Sequence, residues 1–276
     1  MRLVKSEFLK LVTTNAWWLF ALGAFVLWAL TFLINAVGAH FTLTQAPPEG
    51  MDAEQAANFA AQQDVVYQAA NLFTSGQFFG LMFVMLVGIV LVTNEFQHQT
   101  ATATFLAAPH RTAVILAKLL VAALTGVGFW IVTTALNIPA TIIFLNTQHV
   151  ANHLGDSTVV RSILLNGLAY LLWGILGVGI GVLIRSQIGA TVTAVAVYLI
   201  GTAVVGILFT LVANWLDQDW IEKAQYALPS IASGLMVAGK SLPNQPAFWV
   251  GALVLIGWAL VTGVIGTAIT RTRDIS

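Results

Sequence analysis

The chain has 276 residues, 58% of them hydrophobic and 8% charged, with a formal net charge of zero and no cysteine. A soluble globular chain carries about 25% charged residues, so the composition points to a membrane protein rather than to a solvated surface, and zero net charge gives no argument for a nucleic-acid partner. Lack of cysteine excludes disulfides, thiolate metal sites and cysteine nucleophiles.

Residues 1–14, MRLVKSEFLKLVTT, have amphipathic helical spacing. At about 100° per residue, Val4, Phe8, Leu11 and Val12 share one face while Arg2, Lys5, Ser6 and Lys10 lie on the other. A helix lying in the membrane interface and an ordinary positive flank both fit. No small-residue cleavage site follows, so the first apolar run is expected to be retained.

About 20 apolar residues of helix cross a bilayer core. Six runs qualify: 16–38, 76–93, 113–145, 163–184, 188–213 and 247–269. Pro139 inside the third predicts a kink or an early end. Between the first two runs, the 39–75 segment turns at Pro47-Pro48. It continues as one predicted external helix over 51–73, opened by Asp52 and Gln55 as a capping box and packed against the bundle.

The 94–111 segment, NEFQHQTATATFLAAPHR, is a polar interruption between two of the most apolar runs. Asn94 with Gln97 predicts a helix start, Phe96, Thr100, Ala103 and Ala107 then share a face, and Pro109 disfavours helix at Ala108. The spacing predicts a short rigid helix that offers Glu95, Gln97, His98 and Arg111 to the cytosol, a lever suited to a soluble partner.

Further on, His149 and His153 are four apart with Asp156 nearby, as helical metal ligands can be; a polar outer loop is the simpler reading. In the fourth run Gly167, Gly174, Gly177 and Gly181 fall within about 80° on a wheel, a stripe that lets another helix approach closely. GVGIG lies inside this apolar helix with no strand before it, so it is no nucleotide loop. In the outer segment 214–246, residues 231–238 are apolar but too short to span, which suggests a helix dipping into the outer leaflet.

Orientation follows from basic residues in short loops. With a cytoplasmic N-terminus, Arg2, Lys5, Lys10, Arg111, Lys118, Arg185, Arg271 and Arg273 fall inside, and only Arg161, Lys223 and Lys240 outside. Trp17 and Trp18 mark one interface and Trp215, Trp220 and Trp249 the other. Both termini are therefore expected in the cytoplasm.

No G-x-x-x-x-G-K-[ST] or H-E-x-x-H occurs. No acidic or basic residue lies near the middle of a run, which argues against a proton pump or an ion channel. Asn137, Tyr170 and Tyr198 are expected to hydrogen-bond between helices. No catalytic set, metal site or cofactor site is assembled, so the driving chemistry is expected on another protein.

The polar segment resembles the one after the second span of ABC-2 type transporter permeases: Glu95, Thr100, Thr104, Pro109, Arg111 and Lys118 follow that pattern, with Gln99 standing where many members have Gly. MRLVKSEFLKLVTTNAWW is similar to the family's opening, with Glu7 and Lys10 as its E-x-x-K, and ALPSIASGL resembles the Leu-Pro-x-x-Ala stretch before the last span. The resemblance implies a single all-α membrane domain over 1–276, with six transmembrane helices, an N-terminal amphipathic interfacial helix, a short coupling helix within 94–111 and short outer-leaflet helices between spans five and six. It also implies pairing with a second permease copy or paralogue in the bacterial plasma membrane, two cytoplasmic ABC ATPase subunits that carry the ATP and Mg, and export of an amphiphilic or lipophilic compound. The coupling residues would be Glu95, Gln97, His98, Thr100, Thr104, Pro109 and Arg111. A permease-like scaffold that moves nothing, and a membrane enzyme using His149, His153 and Asp156, are the competing readings.

Overall fold

The computed structural model describes residues 2–14, 16–100, 111–184, 186–239, 242 and 245–272. Among these there is no strand, and six helices are long and apolar enough to cross a membrane. In chain order the helices are α1 (Arg2–Thr13), α2 (Ala16–Thr44), α3 (Ala53–Gln62), α4 (Val65–Phe73), α5 (Gln77–Gln97), α6 (Arg111–Thr147), α7 (Ser157–Leu183) and α8 (Gln187–Ala196). A π-helical turn (Val197–Gly201), α9 (Thr202–Leu216), α10 (Asp219–Lys223), a 3₁₀ turn (Ala224–Ala227), α11 (Pro229–Val237) and α12 (Phe248–Thr272) complete the set.

The long helices outrun the predicted apolar windows because polar ends continue a helix as readily as apolar middles. α2 goes on to Thr44, and α7 starts at Ser157, where the Asp156 carboxylate accepts the Thr158 N–H at 2.7 Å. Pro139 does not end α6, which runs through it to Thr147. The adjacent Asn137 ties this stretch to its neighbours: its Oδ1 accepts the Trp28 indole N–H at 2.7 Å and its Nδ2 donates to the Ser75 carbonyl at 3.0 Å. The predicted single helix over 51–73 is two. The Asp52–Gln55 capping box opens α3 as expected, but Asp64 caps a new helix by accepting from Val66 and Tyr67. It is α4, not α3, that packs on the bundle, burying Ala69, Ala70, Leu72 and Phe73.

The core is built around α5 and α7. Gly88 of α5 faces Gly174 and Gly177 of α7 so closely that a Cβ on Gly88 would lie 2.5 Å from the Gly174 carbonyl oxygen. The glycine stripe serves two partners rather than one. Gly177 and Gly181 lie against Met85 and Ile89 of α5, while Gly167 and Gly174 lie against Trp130 and Ala122 of α6. At the far end α11, opened by Pro229 in its first turn, buries Ala232, Ser233, Leu235 and Met236. Ser233 accepts the Trp173 indole N–H at 2.7 Å, and its carbonyl accepts from the Gln77 amide at 3.2 Å. Tyr198, in the π turn, donates to the Phe78 carbonyl at 2.6 Å. Outward-facing side chains are apolar over large areas; Trp215 is 83% exposed, Ile188 71% and Ile200 64%.

Candidate functional site

The polar segment begins inside α5. Asn94 is not a helix start: it sits in the last turn of α5, which ends at Gln97 with His98 as its C-cap. Gln99 then takes a left-handed backbone with φ 54°. Its N–H bonds to the Phe96 carbonyl at 3.3 Å and the Thr100 N–H to the Glu95 carbonyl at 2.9 Å, the paired bonds of a Schellman stop. Asn94 is overruled as a cap because nothing breaks the backbone ladder before Gln99, and an unbroken ladder extends more cheaply than a new helix nucleates. The rest of the predicted coupling helix, with Thr104 and Pro109, lies outside the described residues; Arg111 opens α6.

Glu95 does not face the cytosol as expected. It is 6% exposed and enclosed by two lysines from other helices. Lys10 of α1 reaches its Oε1 at 2.5 Å and Lys118 of α6 at 2.9 Å. The same lysines hold Glu7 of α1, Lys10 at 2.7 Å and Lys118 at 2.6 Å. Lys118, 1% exposed, also donates to the Leu91 carbonyl at 3.2 Å. Among the described residues, two cations and two carboxylates thus form an ion-paired square that joins α1, the end of α5 and the start of α6. The physical reason for the inward turn is the charge of Lys118: seven residues into an apolar helix, it needs carboxylates, and buried ions persist only when paired and hydrogen-bonded. The lysines also offset the unfavourable position of Glu95 at the negative end of the α5 dipole. Partial burial works to lower the Lys10 ammonium, but the hydrogen bonds and charges of Glu7 and Glu95 outweigh it and hold Lys10 above its ordinary value.

Gln97, His98, Gln99 and Thr100 are exposed beyond this square. Beside them a cleft of about 330 Å³ opens between the ends of α1 and α5; Leu11, Val90 and Leu91 give it an apolar base, and Lys10, Thr13, Thr14, Asn94, Glu95, His98 and Thr100 add polar groups. Of the sequence-expected coupling set, the structure therefore leaves Gln97, His98 and Thr100 facing outward and takes Glu95 into a structural junction.

Sequence reasoning missed that Glu7 is part of this junction. The signal was present: on the helical wheel Glu7 falls beside Val4 and Leu11, an acid on the apolar face, and it is 2% exposed. Val4 and Leu11 do pack inward, but Phe8 and Val12, grouped with them by periodicity, are 50% and 45% exposed.

His149 and His153 are not aligned on a helix. Both have positive φ, 57° and 51°, and His149 terminates α6 through the Val150 N–H to Leu145 carbonyl bond at 3.0 Å. Among the described residues no group of three or more His, Asp or Glu is placed to hold a metal ion. Asp156 is engaged as the α7 cap, and the hydrogen bond from the Thr158 backbone holds its carboxyl below the usual range.

No family model matches the chain, and no curated protein matches it.

Proposed function

We propose that the chain is the membrane-embedded permease subunit of an ATP-driven exporter of the ABC-2 type, with ATP hydrolysed on separate cytoplasmic ATPase subunits. One observation carries the reading: Glu7 and Lys10, from the N-terminal motif that resembles that family, and Glu95 and Lys118, from the motif of the polar segment, converge in a single ion-paired junction. A partner pressing on the polar segment would act directly on this junction, and the junction grips α1, α5 and α6 together. Displacement would thus pass to whole helices rather than be absorbed by one loop. The exposed His98 and Thr100, on the rim of the cleft between α1 and α5, are the surface on which such a partner would seat.

Insertion in a membrane is part of the proposal. Apolar side chains such as Ile188, Ile200 and Leu211 stand well exposed along helices of spanning length. A soluble monomer rarely leaves contiguous apolar patches beyond a few hundred Å². Six crossings place both ends of the chain on one side, and the basic-residue bias makes that side cytoplasmic. The cargo is read as lipophilic or amphiphilic from the sparsely charged helices, and a second permease copy or paralogue completes the transporter.

The test is co-purification from native membranes in mild detergent. His98→Glu with Thr100→Arg, on the exposed surface, is expected to lose a Walker-motif ATPase at least tenfold while the permease elutes unchanged. Equal ATPase recovery with the double variant, or no ATPase with the native chain, removes the reading. Reversing Glu95 is the wrong test, since three cations would then share a buried site and the fold itself would respond.

A further inference from the structure

A second feature lies away from the junction. An apolar groove of about 430 Å³ runs between α1, α2 and α6. Phe8 and Val12 form its mouth on α1, Phe25 and Val132 its walls, and Gly128 its floor, where a Cβ would meet nothing within 4 Å.

Four lining side chains carry polar atoms, and all four are turned away from a ligand. The Trp17 indole N–H donates to the Val12 carbonyl at 3.1 Å and that of Trp28 to Asn137 at 2.7 Å. The Thr125 and Thr133 hydroxyls donate to the Val121 and Phe129 carbonyls of their own helix at 2.8 and 3.0 Å. The groove therefore offers a ligand almost only hydrocarbon contact, which suits an alkyl chain and not a sugar or an ion.

Length and charge narrow the occupant. The α6 wall from Leu124 to Leu136 covers about 18 Å at 1.5 Å per residue. One leaflet of a hydrocarbon core about 30 Å thick is roughly 15 Å deep. The groove thus begins at the amphipathic helix and is about as long as one leaflet is deep. Lys5 does not line the groove, but it is exposed, lies three residues before Phe8 and falls within about 20° of Val12 on the α1 wheel, at the border of the polar and apolar faces, which makes it the cation nearest in sequence to the groove's α1 wall outside the ion-paired square.

We propose that this groove holds one acyl chain of a phospholipid from the leaflet against which α1 lies, with the headgroup phosphate at Lys5. The proposal rests on the membrane reading above but not on ATPase association. A lipid seated here bridges α1 to α2 and α6, and so fixes the interfacial helix that carries Glu7 and Lys10.

Native mass spectrometry of the full chain purified from membranes tests it. The native chain is expected to retain one phospholipid. Gly128→Leu, which fills the floor with a residue that favours helix, is expected to lose it at least tenfold. Val132→Phe, which fills the same groove one turn on, is the second variant and should behave alike. Gly263→Leu is the matched control, because a Cβ there also meets nothing within 4 Å but faces away from the groove on α12, and it should retain the lipid. Lys5→Glu is expected to reduce retention several-fold, and unchanged retention would overturn the phosphate placement. Native-level retention in both filled variants, or a lipid-free native chain recovered from membranes, overturns the site. A chain found in the soluble fraction overturns the membrane reading and the site together.

Discussion

Lys118 shows how one residue type at one depth dictates its surroundings. An ammonium 1% exposed requires counter-charges, and Glu7 and Glu95 supply them. Lys118→Met should therefore take one counter-charge from each of the two carboxylates, which is expected to lower stability by about 3–5 kcal/mol, the usual loss when one partner of a buried pair is removed. Thermal unfolding in detergent measures it. Combining Lys118→Met with Glu7→Leu should be less damaging than the sum of the two, because contacting residues couple. Lys10 adds a pH dependence. Its folded pKa is raised above 10.5, so its contribution is fully present below that value and is lost as pH rises through the folded pKa. Native protein should show an alkaline loss of stability above about pH 10.5 that Lys10→Met lacks. At Gln99 the left-handed backbone is strained for a residue with a side chain, by roughly 1–2 kcal/mol. Gln99→Gly is expected to raise the unfolding temperature by relieving part of that strain.

Among the elements, the approach of α5 and α7 is decided by glycines. A Cβ at Gly177 would collide with the Met85 carbonyl, which belongs to a helix backbone and cannot rotate away. Gly177→Ala is expected to force the two helices apart and destabilise by about 1–3 kcal/mol. Gly263→Ala, with open space around its Cβ, should instead stabilise α12 by up to about 1 kcal/mol through helix propensity; parallel unfolding measurements compare the two. Sequence spacing located the α7 stripe because coplanar glycines are visible on a wheel. It did not divide the stripe between α5 and α6, since that depends on where two other helices lie. Helix ends were the least legible feature. Asn94 has the chemistry of a cap, yet α5 runs past it to Gln97 because the break is set by the left-handed Gln99. Asp64 split the predicted 51–73 helix because its carboxylate competes successfully for the next turn's N–H groups.

For the whole molecule, the proposed mechanism depends on the polar segment being mechanically joined to several helices, and the four-residue junction supplies that joint. Legible in the residues alone are the all-helical class and the six long apolar helices. These follow from hydrophobic run length, a local property that survives any arrangement of neighbours. Tertiary structure alone decided that Glu95 turns inward, that Glu7 on the apolar face of α1 meets Lys118 111 positions further along the chain, and that an apolar groove opens over Gly128. The physical reason is that pairing a buried charge is a requirement of the assembled interior. Periodicity can show that a charge sits on an apolar face, but the partner comes from a different helix, and only packing selects it.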